Sequence, residues 1–217
     1  MLRSMLLSVL ACALTLSGQV AVNAGESTAL PPPAEAFGAD VATALQARRA
    51  TREFSDKAVD LQTLSNLLWA ADGINRADSR KRTAPFAMGI HPIVIYALTA
   101  DGASRYDVEA HALVKVSDKD LRAQSGTQPF VRNAQVPVVF VFTYDSARGM
   151  PRADARANEL FAWNGLGAIQ QNLALACAAM KMGGVVVASI DKDMLKAELQ
   201  LVDTETPLTI QPVGYLK

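Results

Sequence analysis

The chain has 217 residues, with 21 Lys+Arg balancing 21 Asp+Glu, 50% apolar residues and 19% charged ones. That length supports a real core within one domain, and the apolar content speaks against wholesale disorder. A formal charge of zero argues against nucleic acid as a partner, because neutralising phosphates takes a basic surplus. Two cysteines cannot build a disulfide-dense scaffold.

Residues 1–24 read as a secretory leader. Arg3 is its charge, Met5 to Leu16 its apolar run, Ser17-Gly18-Gln19 its break, and Val22-Asn23-Ala24 its small-residue exit. The apolar run is too short to span a bilayer, so the expectation is export to the periplasm, with no stable membrane span in the mature chain. Acylation of Cys12 after Val9-Leu10-Ala11 is the alternative, and it would leave the leader an unusually short apolar core. Cleavage after Ala24 leaves Cys177 as the only thiol. No intramolecular disulfide is then available, and stability must come from the core or from a partner subunit.

Residues 25–33 end in Pro31-Pro32-Pro33 and read as an extended arm, with residues 34–217 as one domain. The spacing predicts a first helix from Ala34 to Arg49, with Val41, Ala44 and Leu45 on its apolar side. Asp60 is a predicted N-cap for a second helix through Leu61, Leu64, Leu67, Leu68 and Ala71, stopped by Gly73. A polar loop, Asn75 to Arg82, follows. His91 to Thr99 reads as a buried strand, and Asp101-Gly102 marks a hairpin. Short strands around Tyr106 and from His111 to Val116 complete a meander. Ser117 is placed as the cap of a short helix reaching Gln124, and Val136 to Tyr144 as the next strand. Arg152 to Met182 is the longest periodic segment. It is apolar on more than one face, as in a central helix or one at a subunit interface, and Gly183-Gly184 is its expected stop. Val185-Val186-Val187 reads as a strand, Asp191 to Leu199 as a capped helix, and Leu208 to Tyr215 as the last strand. Helices separated by several strands that are not all hairpin-linked indicate an α+β or mixed α/β architecture.

Several chemistries lack their signatures. His91 and His111 are the only histidines and sit in no metal-ligand spacing. There is no G-x-S-x-G elbow, no G-x-G-x-x-G and no P-loop. Cys177 lies in an apolar helical stretch and reads as a small buried hydrophobe. The cluster Arg48-Arg49-Ala50-Thr51-Arg52 is more informative. Three guanidinium groups in five residues suit a phosphate through charge-assisted hydrogen bonds, although cations at a solvated helix end look the same.

From Arg48 to Lys57 the sequence resembles the "RRSxRxF" opening of the nitroreductase superfamily of flavoproteins. Leu64 to Arg76 resembles the next helix in its SagB-like, azoline-oxidase-related branch, and Arg82-Thr83-Ala84-Pro85-Phe86-Ala87 resembles that branch's "RTAPSA" turn. Gln171-Asn172 with Cys177, Ser189-Ile190-Asp191 and Val213-Gly214-Tyr215 follow in family order, so the likeness covers nearly the whole mature chain.

The resemblance implies an α+β nitroreductase-like fold with a central, mainly antiparallel sheet flanked by helices. It also implies an intertwined homodimer with FMN at the subunit interface. By resemblance Arg48, Arg49 and Arg52 contact the phosphate and the pyrimidine side of the flavin. A cation suits that side because reduced flavin gathers negative charge there. Ala50 lies in the same cluster. Pro85, Phe86, Ala87 and Gly89 belong to a turn that approaches the flavin from the partner chain. Val187, Ala188 and Ser189 provide backbone beside the flavin, and Lys217 a further phosphate cation. The sequence departs from the family where Ala50 and Phe86 replace Ser, where Gly89 and His91 stand for Asn and Gln, and where Val187 replaces a basic residue and Leu216 a Pro. The resulting expectation is an exported FMN-dependent oxidoreductase that passes hydride through flavin N5 to or from a small-molecule or peptide substrate. Its competitor is a flavin-free interaction protein that keeps the fold.

Overall fold

The computed structural model describes residues 25–132 and 136–217. The expected leader, residues 1–24 with Cys12, lies outside the described residues. A seven-stranded, wholly antiparallel sheet is the centre of the molecule, in the order β1-β6-β5-β4-β7-β9-β8. Its strands are β1 (Ser27–Ala29), β4 (Ile93–Thr99), β5 (Gly102–Asp107), β6 (Ala112–Ser117), β7 (Val138–Asp145), β8 (Met182–Gly184) and β9 (Glu205–Tyr215). The helices are α1 (Val41–Ala47), α2 (Leu61–Asp72), α3 (Pro129–Arg132), α4 (Ala155–Ala179) and α5 (Lys192–Glu198). A separate hairpin pairs β2 (Ile74–Arg76) with β3 (Lys81–Arg82). This is an α+β fold. Among the described residues, no helix is long and apolar enough to cross a membrane.

Strand alternation sorts the core into two layers. Ile93, Ile95 and Ala97 of β4, with Val138, Phe140 and Phe142 of β7, pack under α2 and α4. Val94, Tyr96 and Leu98, with Val139 and Val141, face the opposite layer, which Leu121, Val131, Leu195 and Leu199 close. The arm supplies β1 at the sheet edge, pairing Ser27 with Val114 and Ala29 with Ala112. It is then tied to α2, where Asn66 Oδ1 accepts from Ala34 N at 2.9 Å.

Several boundaries differ from expectation, each for a local reason. The first helix begins at Val41 because Asp40 caps it, accepting from Thr43 N at 2.9 Å, and Gly38 before it has φ 93°. It ends at Ala47, and Ala50 instead forms a parallel bridge to Gly184. The predicted helix from Ser117 to Gln124 is replaced by turns, in which Asp120 binds the backbone N–H and guanidinium of Arg122. The loop from Asn75 to Arg82 contains β2 and β3. The long helix starts after its cap, Asp154, and stops at Ala179, with the left-handed residue at Lys181 (φ 58°). Gly183 and Gly184 therefore do not end the helix; they pair with β9 as β8. Val187 makes only an isolated bridge to Ile210, and Val186 is exposed.

Candidate cofactor site

Each neighbouring element puts a short stretch of backbone against β8. The segment after α1 runs alongside it, with Thr51 N donating to Gly184 O at 3.1 Å. The same segment is held to the end of β9 by Ser55 N donating to Tyr215 O at 2.9 Å. A narrow crevice results, lined by Arg48, Arg49, Thr51, Gly183, Gly184 and Leu216, with Ala174 and Ala178 of α4 among its walls. Small residues permit that approach. A Cβ on Gly183 would lie 2.6 Å from Thr51 Oγ1, and one on Gly184 would lie 2.9 Å from Pro212 O.

Arg48, Arg49, Arg52 and Lys217 all lie exposed at this corner or on the segments that form it. Among the described residues none of the four takes part in an ion pair, whereas Arg80, Arg82, Arg122 and Arg148 each have a carboxylate. Arg52 extends over the ring of Phe130 in α3, 5.8 Å from its centroid. Ala50 contributes backbone through its bridge to Gly184. A group of exposed cations beside close-approaching backbone can receive an anion such as a phosphate.

Val187, Ala188 and Ser189 follow β8 in the chain. Val187 exchanges two hydrogen bonds of 2.9 Å with Ile210 and is buried, while Ala188 and Ser189 are exposed. Ser189 O accepts from Thr127 N at 2.9 Å, and Ser189 Oγ from Gln128 Nε2 at 3.0 Å. The structure therefore places the Arg48–Arg52 group, Val187–Ser189 and the C-terminal Lys217 along one edge of the sheet, beside β8 and β9.

Pro85, Phe86, Ala87 and Gly89 are elsewhere. Phe86 packs against Gly165 of α4, nine residues before Ala174 in the crevice. At 1.5 Å per residue this places the turn roughly 14 Å or more away along the helix. The turn is tight and strained, with Met88 at φ 55° and Gly89 at φ 70°, and Met88 is 84% exposed. Behind it His91 packs against Phe86 in a tilted arrangement, with ring centroids 4.6 Å apart. His91 Nδ1 lies 3.3 Å from Asp72 Oδ1 without hydrogen-bond alignment, and Asp72 Oδ2 accepts from Arg82 Nη1 at 2.8 Å. Within one chain the turn and the cationic corner do not form a common pocket.

Three contributors were absent from the sequence reading. Thr51 and Gln211 place buried, unpartnered oxygens beside β8, and Gly184 forms the crevice wall. Thr51 lies inside the arginine motif, so its position was a usable signal. Gln211 sits in an apolar strand run, where a lone amide is the only hint.

Comparison with known proteins follows the same lines. The nitroreductase family model matches residues 45–215. A Ralstonia eutropha JMP134 structure assigned as a nitroreductase superposes with a TM-score of 0.82 at 33% identity, covering 90% of this chain and 91% of that one. A protein assigned as a nitroreductase in Methanocaldococcus jannaschii is 26% identical over 178 residues, 77% of this chain and 86% of the relative. The Escherichia coli microcin synthetase McbBCD complex, bound to truncated pro-MccB17, shares the fold at a TM-score of 0.66. That likeness has 16% identity and covers 96% of this chain and 85% of that one.

Proposed function

The chain belongs to the nitroreductase family, and from its oxidoreductase character we propose an FMN-dependent enzyme that holds the cofactor phosphate at the Arg48–Arg52 corner. The observation that carries this reading is the set of four exposed cations, Arg48, Arg49, Arg52 and Lys217, without an ion pair among the described residues and on segments meeting beside β8. The residues present fit a phosphate-bearing cofactor. The cations supply charge, and the glycine pair lets backbone come within van der Waals contact. The unpartnered Thr51 Oγ1 adds a buried hydroxyl facing the same wall. Bound FMN supplies two-electron hydride transfer at N5.

The protein's own part is positioning. Arg48, Arg49 and Lys217 bind the phosphate, and Arg52, held over Phe130, sets positive charge next to the ring system. Val187 fixes the backbone register of Ala188 and Ser189 through its pair of bonds to Ile210. No side-chain nucleophile is required.

Our reading includes a homodimer in which Pro85–Gly89 of one chain completes the site of the other. The separation of that turn from its own chain's corner supports this. So do the exposed apolar residues Val41 and Leu45 on α1, with Leu160, Phe161 and Trp163 on α4. We also assign the chain to the SagB-like branch, on the Arg82-Thr83-Ala84-Pro85 turn, and take its substrate to be a small molecule or a peptide. Export rests on residues 1–24 alone, and cell fractionation with N-terminal sequencing of the mature protein tests it.

The decisive experiment is a visible absorption spectrum of purified protein after incubation with FMN and removal of free dye. Protein-bound flavin bands are expected. They should collapse in the Arg48→Ala, Arg52→Ala double variant while its dimerisation, read by light scattering, is kept. A colourless wild-type dimer would refute the FMN reading and favour the flavin-free alternative.

A further inference from the structure

Gln211 is 1% exposed, and its Oε1 has no hydrogen-bond partner among the described residues. Its register partner on β7 is Phe140, which belongs to the layer under α4, so the amide points into that side of the sheet. An amide of α4 that reaches the same strand does not serve it: Gln170 Nε2 donates to Thr209 Oγ1 at 2.8 Å. Folds rarely keep a buried carbonyl without a donor unless something outside the chain provides one. The amide end of Gln211 adjoins Gly184, where a Cβ would stand 3.7 Å from Gln211 Nε2. Gly184 is also a wall of the crevice that Arg48, Arg49 and Thr51 line. Thr51 Oγ1, the other unpartnered buried oxygen in this region, meets the neighbouring Gly183. One orphaned oxygen, Thr51 Oγ1, thus meets Gly183, and the amide that carries the other meets Gly184, beside the exposed Arg48 and Arg49.

We infer that Gln211 is a cofactor-binding residue whose side-chain carbonyl accepts a hydrogen bond from an O–H or N–H of the flavin nucleotide, with the Thr51 hydroxyl as a second contact. The inference rests on the FMN reading above. The chemistry of the orphans sorts the ligand's parts. A carbonyl can only accept, so the orphaned Oε1 of Gln211 does not bind phosphate oxygens; it needs a donor. FMN has donors in its ribityl hydroxyls and in the imide N–H of the ring. Thr51 can donate or accept, so it suits either the phosphate or the ribityl chain.

The test measures FMN binding by flavin fluorescence quenching, and thermal melting without cofactor, for wild type and for Gln211→Leu. Leucine keeps nearly the same bulk and removes the lone acceptor. FMN binding should weaken about 3- to 10-fold, the effect of one lost neutral hydrogen bond. The cofactor-free melting temperature should hold or rise, since an unsatisfied group has gone. A purely structural Gln211 predicts the reverse, a lower melting temperature with unchanged FMN affinity, and that result overturns the inference. Should the Leu variant fail to fold, Gln211→Met is read against the same two criteria. FMN analogues separate the two donors. Whichever of 3-methyl-FMN and 2′-deoxy-FMN lacks the donor should bind wild type more weakly than FMN does, yet match FMN on Gln211→Leu. If both analogues remain fully sensitive to Gln211→Leu, the donor is another ribityl hydroxyl; FMN affinity unchanged by Gln211→Leu is the result that overturns the assignment. Wild type that binds FMN as tightly as Gln211→Leu refutes the role of Gln211 and leaves the FMN reading intact. Wild type that binds no FMN refutes both.

Discussion

The ring of Phe86 occupies the notch left by Gly165: a Cβ on that glycine would lie 2.0 Å from Phe86 Cε1. The exposed turn carrying Phe86 is thereby registered on the middle of α4, although its own backbone holds two positive φ angles.

Gly165→Ala should accordingly be net destabilising, despite the helical preference for alanine. Alanine gains about 1 kcal/mol in a helix interior. Forcing a ring out of a packed notch costs about 1–3 kcal/mol. Denaturant unfolding should show a loss of up to about 2 kcal/mol in the wild-type background, these two magnitudes taken together. In a Phe86→Ser background the same substitution should become stabilising. Additive effects in that double-mutant cycle would disprove the contact's role.

Asp72 is buried at the end of α2, with 1% of its side chain exposed, and bonds Arg82 at 2.8 Å. Asp72→Asn removes the buried counter-charge of the Arg82 guanidinium, 16% exposed, and leaves it only the exposed Glu109 carboxylate at 3.7 Å. A loss of about 3–5 kcal/mol is expected for breaking one side of such a pair. Urea unfolding is the check, and a loss below about 1 kcal/mol, typical of surface pairs, would contradict it.

His111 anchors the arm. Its Nε2 lies 2.8 Å from Ser65 Oγ and 3.1 Å from Pro31 O, and its Nδ1 lies 2.8 Å from Tyr106 Oη. Burial holds its pKa below the ordinary 6.5, only partly offset by the bond to Pro31. The folded state therefore binds fewer protons than the unfolded state in this window, and stability rises with pH there. The contribution is complete above pH 6.5 and is lost as pH falls from there through the folded pKa. His111→Asn, which tolerates the left-handed backbone at φ 48°, should be less stable at pH 8 and should lack this part of the acid slope. Unfolding curves at pH 8, 6.5 and 5.5 decide; an unchanged slope would contradict the assignment.

Burial pushes the Cys177 thiol up to about 12, and the residue is 1% exposed in α4. At pH 8 it should be inert to a thiol-specific chromogenic reagent in the native protein. It should react only as fast as the protein unfolds. Rapid native labelling would place the thiol at the surface.

Chain-local interactions explain what was legible early. Asp60 accepts from Thr63 N at 2.7 Å and Gly73 closes the same helix, so α2 could be read residue by residue. The cap at Asp191, the Asp101-Gly102 turn and the apolar run of β7 are similarly local. The arginine motif was legible as a cationic cluster, and its resemblance pointed to a phosphate-bearing cofactor.

Pairing partners far along the chain decided the rest. Gly183 and Gly184 have the composition of a helix stop, yet β9 recruits them as a strand because their lack of side chains admits Thr51 and Pro212. The first helix stops at Ala47, and Ala50 bridges to Gly184, 134 positions away in the chain. Nothing near Gln211 in sequence reveals that its carbonyl lacks a donor, for that depends on which side chains α4 and β8 bring to it. Sequence alone determined the elements whose hydrogen bonds close within a few residues, and the charges available for a site. Tertiary structure decided which of those charges stay unpaired, because only packing brings a counter-ion close or keeps it away.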